Sequence, residues 1–294
     1  MTNMGNLLTA MVTPFTPDLA VDYDRAAELA VRLISAGNDG LVVCGTTGES
    51  PTLSSAEKLE LFRVVKDAVG AAPVIASTGS NDHAATVELT RAANDTGVDG
   101  IMLVGPYYNK PSQEGFYQHF AQAAAVTDLP VMLYNVPGRT GKNIEAATVL
   151  RLAEDVPNIV ALKEASGDLI QVSTICAGTP ASFRVYSGDD SLTLPILAVG
   201  GVGVVSVVAH VVAAEMAAMI HAYLAGDTRR AVQLHHKLLP LFEAAFLASG
   251  SPACIKRALQ ICGFDCGGLR LPLVEASAAD TDKIRQVCRD LELV

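Results

Sequence analysis

The chain has 294 residues, half of them apolar and only 18% charged, which excludes disordered and fibrous proteins and leaves room for one large domain with a smaller appendage. The formal net charge is −10 without any cluster of Lys and Arg, which argues against nucleic acid as a partner, and a cytoplasmic, oligomeric protein is expected. The opening Met1-Thr2-Asn3-Met4-Gly5-Asn6 lacks the basic and apolar regions of a secretion leader, and the six cysteines form no CxxC, so reduced thiols are expected.

Residues 7–13 read as a first strand, followed by a turn over 14–17 and a helix capped at Asp22 that ends near Gly37. A second strand, 40–44, runs into Gly45-Thr46-Thr47-Gly48-Glu49-Ser50. The next helix begins after Ser54, with Glu57 placed to close a capping box, and Leu59, Leu61, Phe62, Val65 and Val69 keep a helical spacing up to Gly70. The alternation recurs with strands at 73–76, 101–104, 131–134, 159–163, 183–186 and 202–208. Helices fall over 81–94 and after Ser112, Asn143, Asp168, Asp190 and His210.

Eight apolar runs, each followed by a helical pattern, predict a closed (β/α)8 TIM barrel of the α/β class rather than an open doubly wound sheet. No GxGxxG follows the first strand, which weakens a dinucleotide site. Residues 195–214 carry no Asp, Glu, Lys or Arg, but Gly200, Gly201, Gly203 and His210 interrupt them, so a buried strand and a core helix are expected there and no membrane span. Three further helical segments, 227–249, 252–262 and 276–293, have no place in a barrel. The expected division is therefore a catalytic barrel over 1–226 and a small C-terminal helical domain over 227–294.

In such a barrel the C-terminal strand ends open on one face, where the chemistry sits. Those ends supply Thr13, Thr46, Thr47, Thr78, Tyr107, Tyr108, Tyr134, Lys163, Gly188, Asp189 and Ser206. Lys163 closes the apolar run Ile159-Val160-Ala161-Leu162 and is the candidate nucleophile. Burial of an amine can bring its pKa from about 10.4 towards 7–8, where the neutral form attacks carbonyls to give a Schiff base. A lysine that extends its ammonium to solvent or pairs with a carboxylate is the structural alternative.

The threonine turn offers N–H groups and hydroxyls suited to a carboxylate, or is only a connection between strand and helix. Tyr134 can relay protons, or simply cap the core. Arg139, in a loop shaped by Pro137, Gly138 and Gly141, can grip a carboxylate with two parallel bonds or face solvent. The glycines at 200, 201 and 203 have no basic neighbour and suit tight packing better than a phosphate cradle. His235 and His236 are adjacent and point to different helix faces, so no metal is expected.

Taken together, Gly45-Thr46-Thr47-Gly48-Glu49, Pro106-Tyr107-Tyr108-Asn109-Lys110-Pro111, Tyr134-Asn135-Val136-Pro137-Gly138-Arg139-Thr140-Gly141, Leu162-Lys163-Glu164 and Ser187-Gly188-Asp189-Asp190 resemble the dihydrodipicolinate synthase family of pyruvate-dependent aldolases. The resemblance covers essentially the whole chain. It implies that Lys163 forms an imine with pyruvate, and that the enamine then attacks the aldehyde of L-aspartate 4-semialdehyde, with no cofactor beyond that imine. By the same resemblance Tyr134, Thr46 and Tyr108 form a proton relay, Tyr108 reaching the neighbouring subunit. Thr46 and Thr47 take the pyruvate carboxylate, Arg139 takes that of the semialdehyde, and the backbone carbonyls of Gly188 and Val205 line the site. A homotetramer built as a dimer of dimers is the implied assembly.

Where lysine-inhibited members place two histidines and a glutamate, this chain has Ser55, Lys58 and Ala85, while Ser50 and Asn81 are kept. Lys58 would repel the effector's ammonium group, so feedback by lysine is expected to be weak or absent, and an inhibition curve saturating at micromolar lysine would contradict this. Two rivals remain at this point. One is an N-acetylneuraminate lyase or keto-deoxy-sugar aldolase, against which Arg139 argues; the other is a non-catalytic barrel that binds 2-oxo acids.

Overall fold

The computed structural model describes residues 4–294; the expectation about a leader falls partly on residues 1–3, outside the described residues. In chain order the elements are β1 (Leu7–Ala10), α1 (Tyr23–Ser35), β2 (Gly40–Val43), α2 (Ser55–Val69), β3 (Val74–Ser77), α3 (His83–Ala93), β4 (Gly100–Val104), α4 (Gln113–Ala124) and β5 (Val131–Asn135). They continue with α5 (Pro137–Thr140), α6 (Ala146–Asp155), β6 (Ile159–Glu164), α7 (Leu169–Gly178), β7 (Arg184–Ser187), α8 (Thr193–Ala198), β8 (Gly203–Ser206) and α9 (Ala209–Leu224). The chain ends in α10 (Thr228–Ala244), α11 (Ala253–Ile261) and α12 (Ala278–Asp290).

The strands pair in parallel, each with its sequence neighbour, and β1 closes on β8, which gives the expected barrel. The period-two alternation of a strand sorts the side chains. Leu8, Ala10, Val42, Ile75, Met102, Met132, Ala161 and Val205 fill the barrel interior. Their neighbours Leu7, Leu41, Val43, Val74, Ile101, Leu133, Leu162 and Val204 face the helices. Because both faces are buried, these strands read as continuous apolar runs rather than alternating ones.

The helix starts follow their capping residues. Asp22, Asp82, Ser112 and Asp168 each accept a hydrogen bond from the first turn that follows, and Ser54 with Glu57 completes the capping box. Two strands are shorter than the apolar pattern suggests by three residues each. β1 stops at Ala10 rather than at 13, because after Met11 N–H bonds Val42 O the next N–H, on Val12, is taken by His210 Nε2 at 3.1 Å. β8 stops at Ser206 rather than at 208, because the Val207 and Val208 N–H groups donate to Asp190 Oδ2 at 2.9 and 3.1 Å.

The uncharged stretch at 195–214 divides among α8, β8 and α9, and among the described residues no helix is long and apolar enough to cross a membrane. Gly203 is a packing glycine, since a Cβ there would stand 1.9 Å from Asn6 O. The helices beyond 226 do not stand apart from the barrel. α10 packs along α9, and Leu234, Leu238, Leu259, Phe264 and Ile284 belong to the same buried cluster as the barrel's outer face.

Candidate active site

Lys163 and Tyr134 are register partners on β6 and β5, so both side chains point into the barrel interior at its C-terminal end. Lys163 Nζ lies 4.3 Å from the centre of the Tyr134 ring, and both residues are 5% exposed. Burial drives the Lys163 amine down to about 8; Asp190 pulls it back up and Arg139 presses it further down. An amine in that range keeps a useful neutral fraction near neutral pH, which an ordinary lysine does not.

Asp190 is itself buried, and burial raises its pKa against three hydrogen bonds that favour the charged form, from Ser206 Oγ and the Val207 and Val208 N–H groups. Tyr134 is likewise pushed up by burial, partly offset by Arg139 and by a hydrogen bond with Thr46. A phenol kept protonated beside a threonine hydroxyl can donate and accept a proton without carrying a charge of its own.

Beside the Tyr134 ring opens a cavity of about 220 Å³ lined by Gly45, Thr46, Ser77, Tyr107, Tyr134 and Arg139, among others. The threonine turn that forms one wall is internally bonded: Gly48 N–H and Ser50 N–H donate to Gly45 O, and Glu49 N–H donates to Thr46 O. Thr13 Oγ1 fixes it to the segment that follows β1 through Gly48 O at 2.7 Å. Thr47 is buried at the same turn. Arg139 does not sit on an irregular loop. Pro137 starts the single-turn helix α5, which Gly141 closes in the left-handed conformation, and this carries the guanidinium to the cavity mouth.

Gly188 is fixed by the lysine. A Cβ there would lie 2.8 Å from Ala165 Cβ and 3.1 Å from Lys163 Cε, so only glycine lets the amine pass. Val205 lies on β8 with its side chain in the inner core. Of the expected site residues, Thr46, Tyr134 and Arg139 line this cavity, and Lys163, Thr47, Gly188 and Val205 lie outside its lining; Tyr108 is 89% exposed, and Tyr107 lines the wall instead.

The chain matches the Dihydrodipicolinate synthetase family over residues 3–291. The chain belongs to that family. A 4-hydroxy-tetrahydrodipicolinate synthase of Moorella thermoacetica is 57% identical over 99% of both chains, and one of Heliobacterium modesticaldum is 57% identical over 96% of this chain and 94% of the relative. A crystal structure of the Cyanidioschyzon merolae enzyme with lysine bound superposes with a TM-score of 0.97 at 46% identity, covering 99% of each chain.

Within this dihydrodipicolinate synthetase fold, the polar support behind Lys163 is what pattern reading missed. Glu164, one residue on, faces outward and is 1% exposed. Its carboxylate accepts from Asn135 Nδ2, Gln171 Nε2 and Ser166 N–H at 3.0, 3.0 and 2.7 Å. Asn143 joins the network through Asn135 and Gln171. The Lys-Glu dipeptide at a strand end was the available signal, since alternation sends one member in and the other out.

Proposed function

We infer that the protein condenses pyruvate with L-aspartate 4-semialdehyde to 4-hydroxy-tetrahydrodipicolinate, a lyase activity of lysine and diaminopimelate biosynthesis. The observation that carries this is the buried Lys163 amine, with its pKa lowered to about 8, against the ring of Tyr134, which lines a cavity together with Thr46 and Arg139. The neutral amine adds to the keto carbon of pyruvate, and the carbinolamine loses water to give the iminium. The iminium is the electron sink, so loss of a methyl proton gives an enamine without any cofactor. The enamine carbon then attacks the semialdehyde carbon, whose oxygen takes up a proton. Attack of the substrate's own amine on the iminium carbon closes the ring and frees Lys163.

In this reading Tyr134, Thr46 and Tyr108 relay the protons, the last from a neighbouring subunit. Thr46 and Thr47 hold the pyruvate carboxylate, Arg139 grips that of the semialdehyde, and the backbone at Gly188 and Val205 lines the amine. The barrel over 1–226 carries the chemistry and 227–294 forms the helical appendage. Tetramers built as dimers of dimers, a cytoplasmic location and weak or absent feedback by lysine complete the proposal. Borohydride reduction with pyruvate, followed by peptide mass spectrometry, should add a reduced pyruvyl group at Lys163; absence of that adduct would overturn the imine. Steady-state assay with L-aspartate 4-semialdehyde against a sialic acid then tests the second substrate.

A further inference from the structure

The turn that carries Thr46 and Thr47 is held from outside the barrel. Glu49, three residues beyond Thr46, has φ +57°, the left-handed region that favours glycine, and its carboxylate is fully buried. Both carboxylate oxygens meet residues beyond position 250. Lys256 Nζ, on α11, stands 2.8 Å from Oε1, and the Arg270 backbone N–H donates to Oε2 at 3.0 Å. Lys256 is 4% exposed; its ammonium also donates to Gly268 O at 2.7 Å and lies 4.4 Å from the centre of the Phe15 ring. The Arg270 guanidinium extends the clamp by donating to Thr52 O at 2.9 Å and to Glu57 Oε1 at 2.6 Å, in the first turn of α2.

Burying two opposite charges is a poor way to gain stability, because apolar residues of the same volume do as well or better. A side chain held in a left-handed conformation persists only where its surroundings over-determine it. Here the surroundings act on the segment that the reading above assigns to the substrate carboxylate. Glu49 N–H donates to Thr46 O, so a shift of Glu49 is passed directly to the threonines.

We propose that Glu49 and Lys256 are positioning residues for the pyruvate carboxylate, through which the C-terminal helices set the threonine turn of the barrel. This rests on the pyruvate reading above. Lys256→Met keeps the stem and removes the ammonium. Its KM for pyruvate, and the pyruvate concentration that half-saturates borohydride trapping at Lys163, should both rise about 10- to 100-fold, while KM for the semialdehyde changes by less than about twofold. Lys256→Arg should recover part of the pyruvate affinity. A purely structural pair would lower the melting temperature and the active fraction but leave KM where it was. Folded Lys256→Met with the parent's KM and trapping curve therefore overturns the proposal. Should that variant fail to fold, the Glu49→Gln/Lys256→Gln double exchange removes both charges together, with the same expected rise and the same overturning result. The unmodified chain is the control. No adduct there overturns the pyruvate reading, whereas an adduct there with unaltered curves in the variants overturns only this inference.

Discussion

One burial at Lys163 has two opposite consequences. For catalysis it supplies neutral amine, so kcat/KM for pyruvate should fall about tenfold per pH unit below the amine's value near 8. Arg139 presses that value down, so Arg139→Gln should move the acid limb of the trapping rate to higher pH. A limb that stays put would mean that the guanidinium does not reach the amine's field. For stability the same burial is a cost. Below pH 8 the folded chain must hold an ammonium out of water, against an ordinary value of 10.5, a penalty on the order of 3 kcal/mol. Between those two values the unfolded chain binds the proton that the folded chain has lost, so this group's contribution rises with pH. Lys163→Met should therefore be inactive yet more stable than the parent at pH 7 by about 2–3 kcal/mol, the gap closing towards pH 10.5; urea titrations at several pH values measure it.

At the scale of the strands, β6 and β7 deliver the amine only because the residue beside it on the next strand end has no side chain. Gly188→Ala places a Cβ against Lys163 Cε and Ala165 Cβ, which displaces the amine from its place beside the Tyr134 ring. A loss of about 10- to 100-fold in kcat should accompany a stability loss of only about 1–3 kcal/mol, read from kinetics and a thermal melt on one preparation. The eight strands were legible in the amino-acid sequence because a parallel barrel buries both faces of each strand, and Lys163 stood out as a charge at the end of such a run. The strand ends were not legible. His210 terminates β1 from 198 positions away and Asp190 terminates β8 from across a connecting helix, contacts that no local pattern carries. The same holds for the Glu164 network, whose partners Asn135 and Gln171 look like ordinary polar residues until the barrel closes. Nor did periodicity reveal α5, whose single turn is too short to show any.

Across the whole molecule, the residue that the single chain leaves unexplained is Tyr108. It is 89% exposed, yet it is not loose: its backbone sits at φ +73°, its N–H donates to Thr140 O at 3.3 Å, and the Asn109 side chain next to it donates to Asn81 O at 2.9 Å. Holding a bare aromatic ring in a disfavoured conformation makes sense where a second copy receives it, and a two-fold interface does so reciprocally. If each Tyr108 completes its neighbour's site, the two halves of the machinery can be separated by mutation. Lys163→Ala removes the amine and keeps Tyr108, while Tyr108→Phe removes the phenol and keeps the amine. Each variant alone should be nearly inactive. When equal amounts exchange subunits, half the dimers are hybrid and each hybrid holds one site with both groups intact, so activity should return to about a quarter of the parent's. Native mass spectrometry can count the hybrids in the same sample. Hybrids that form without any recovery would place Tyr108 outside the relay, whereas recovery proportional to their number would make the dimer the smallest active unit.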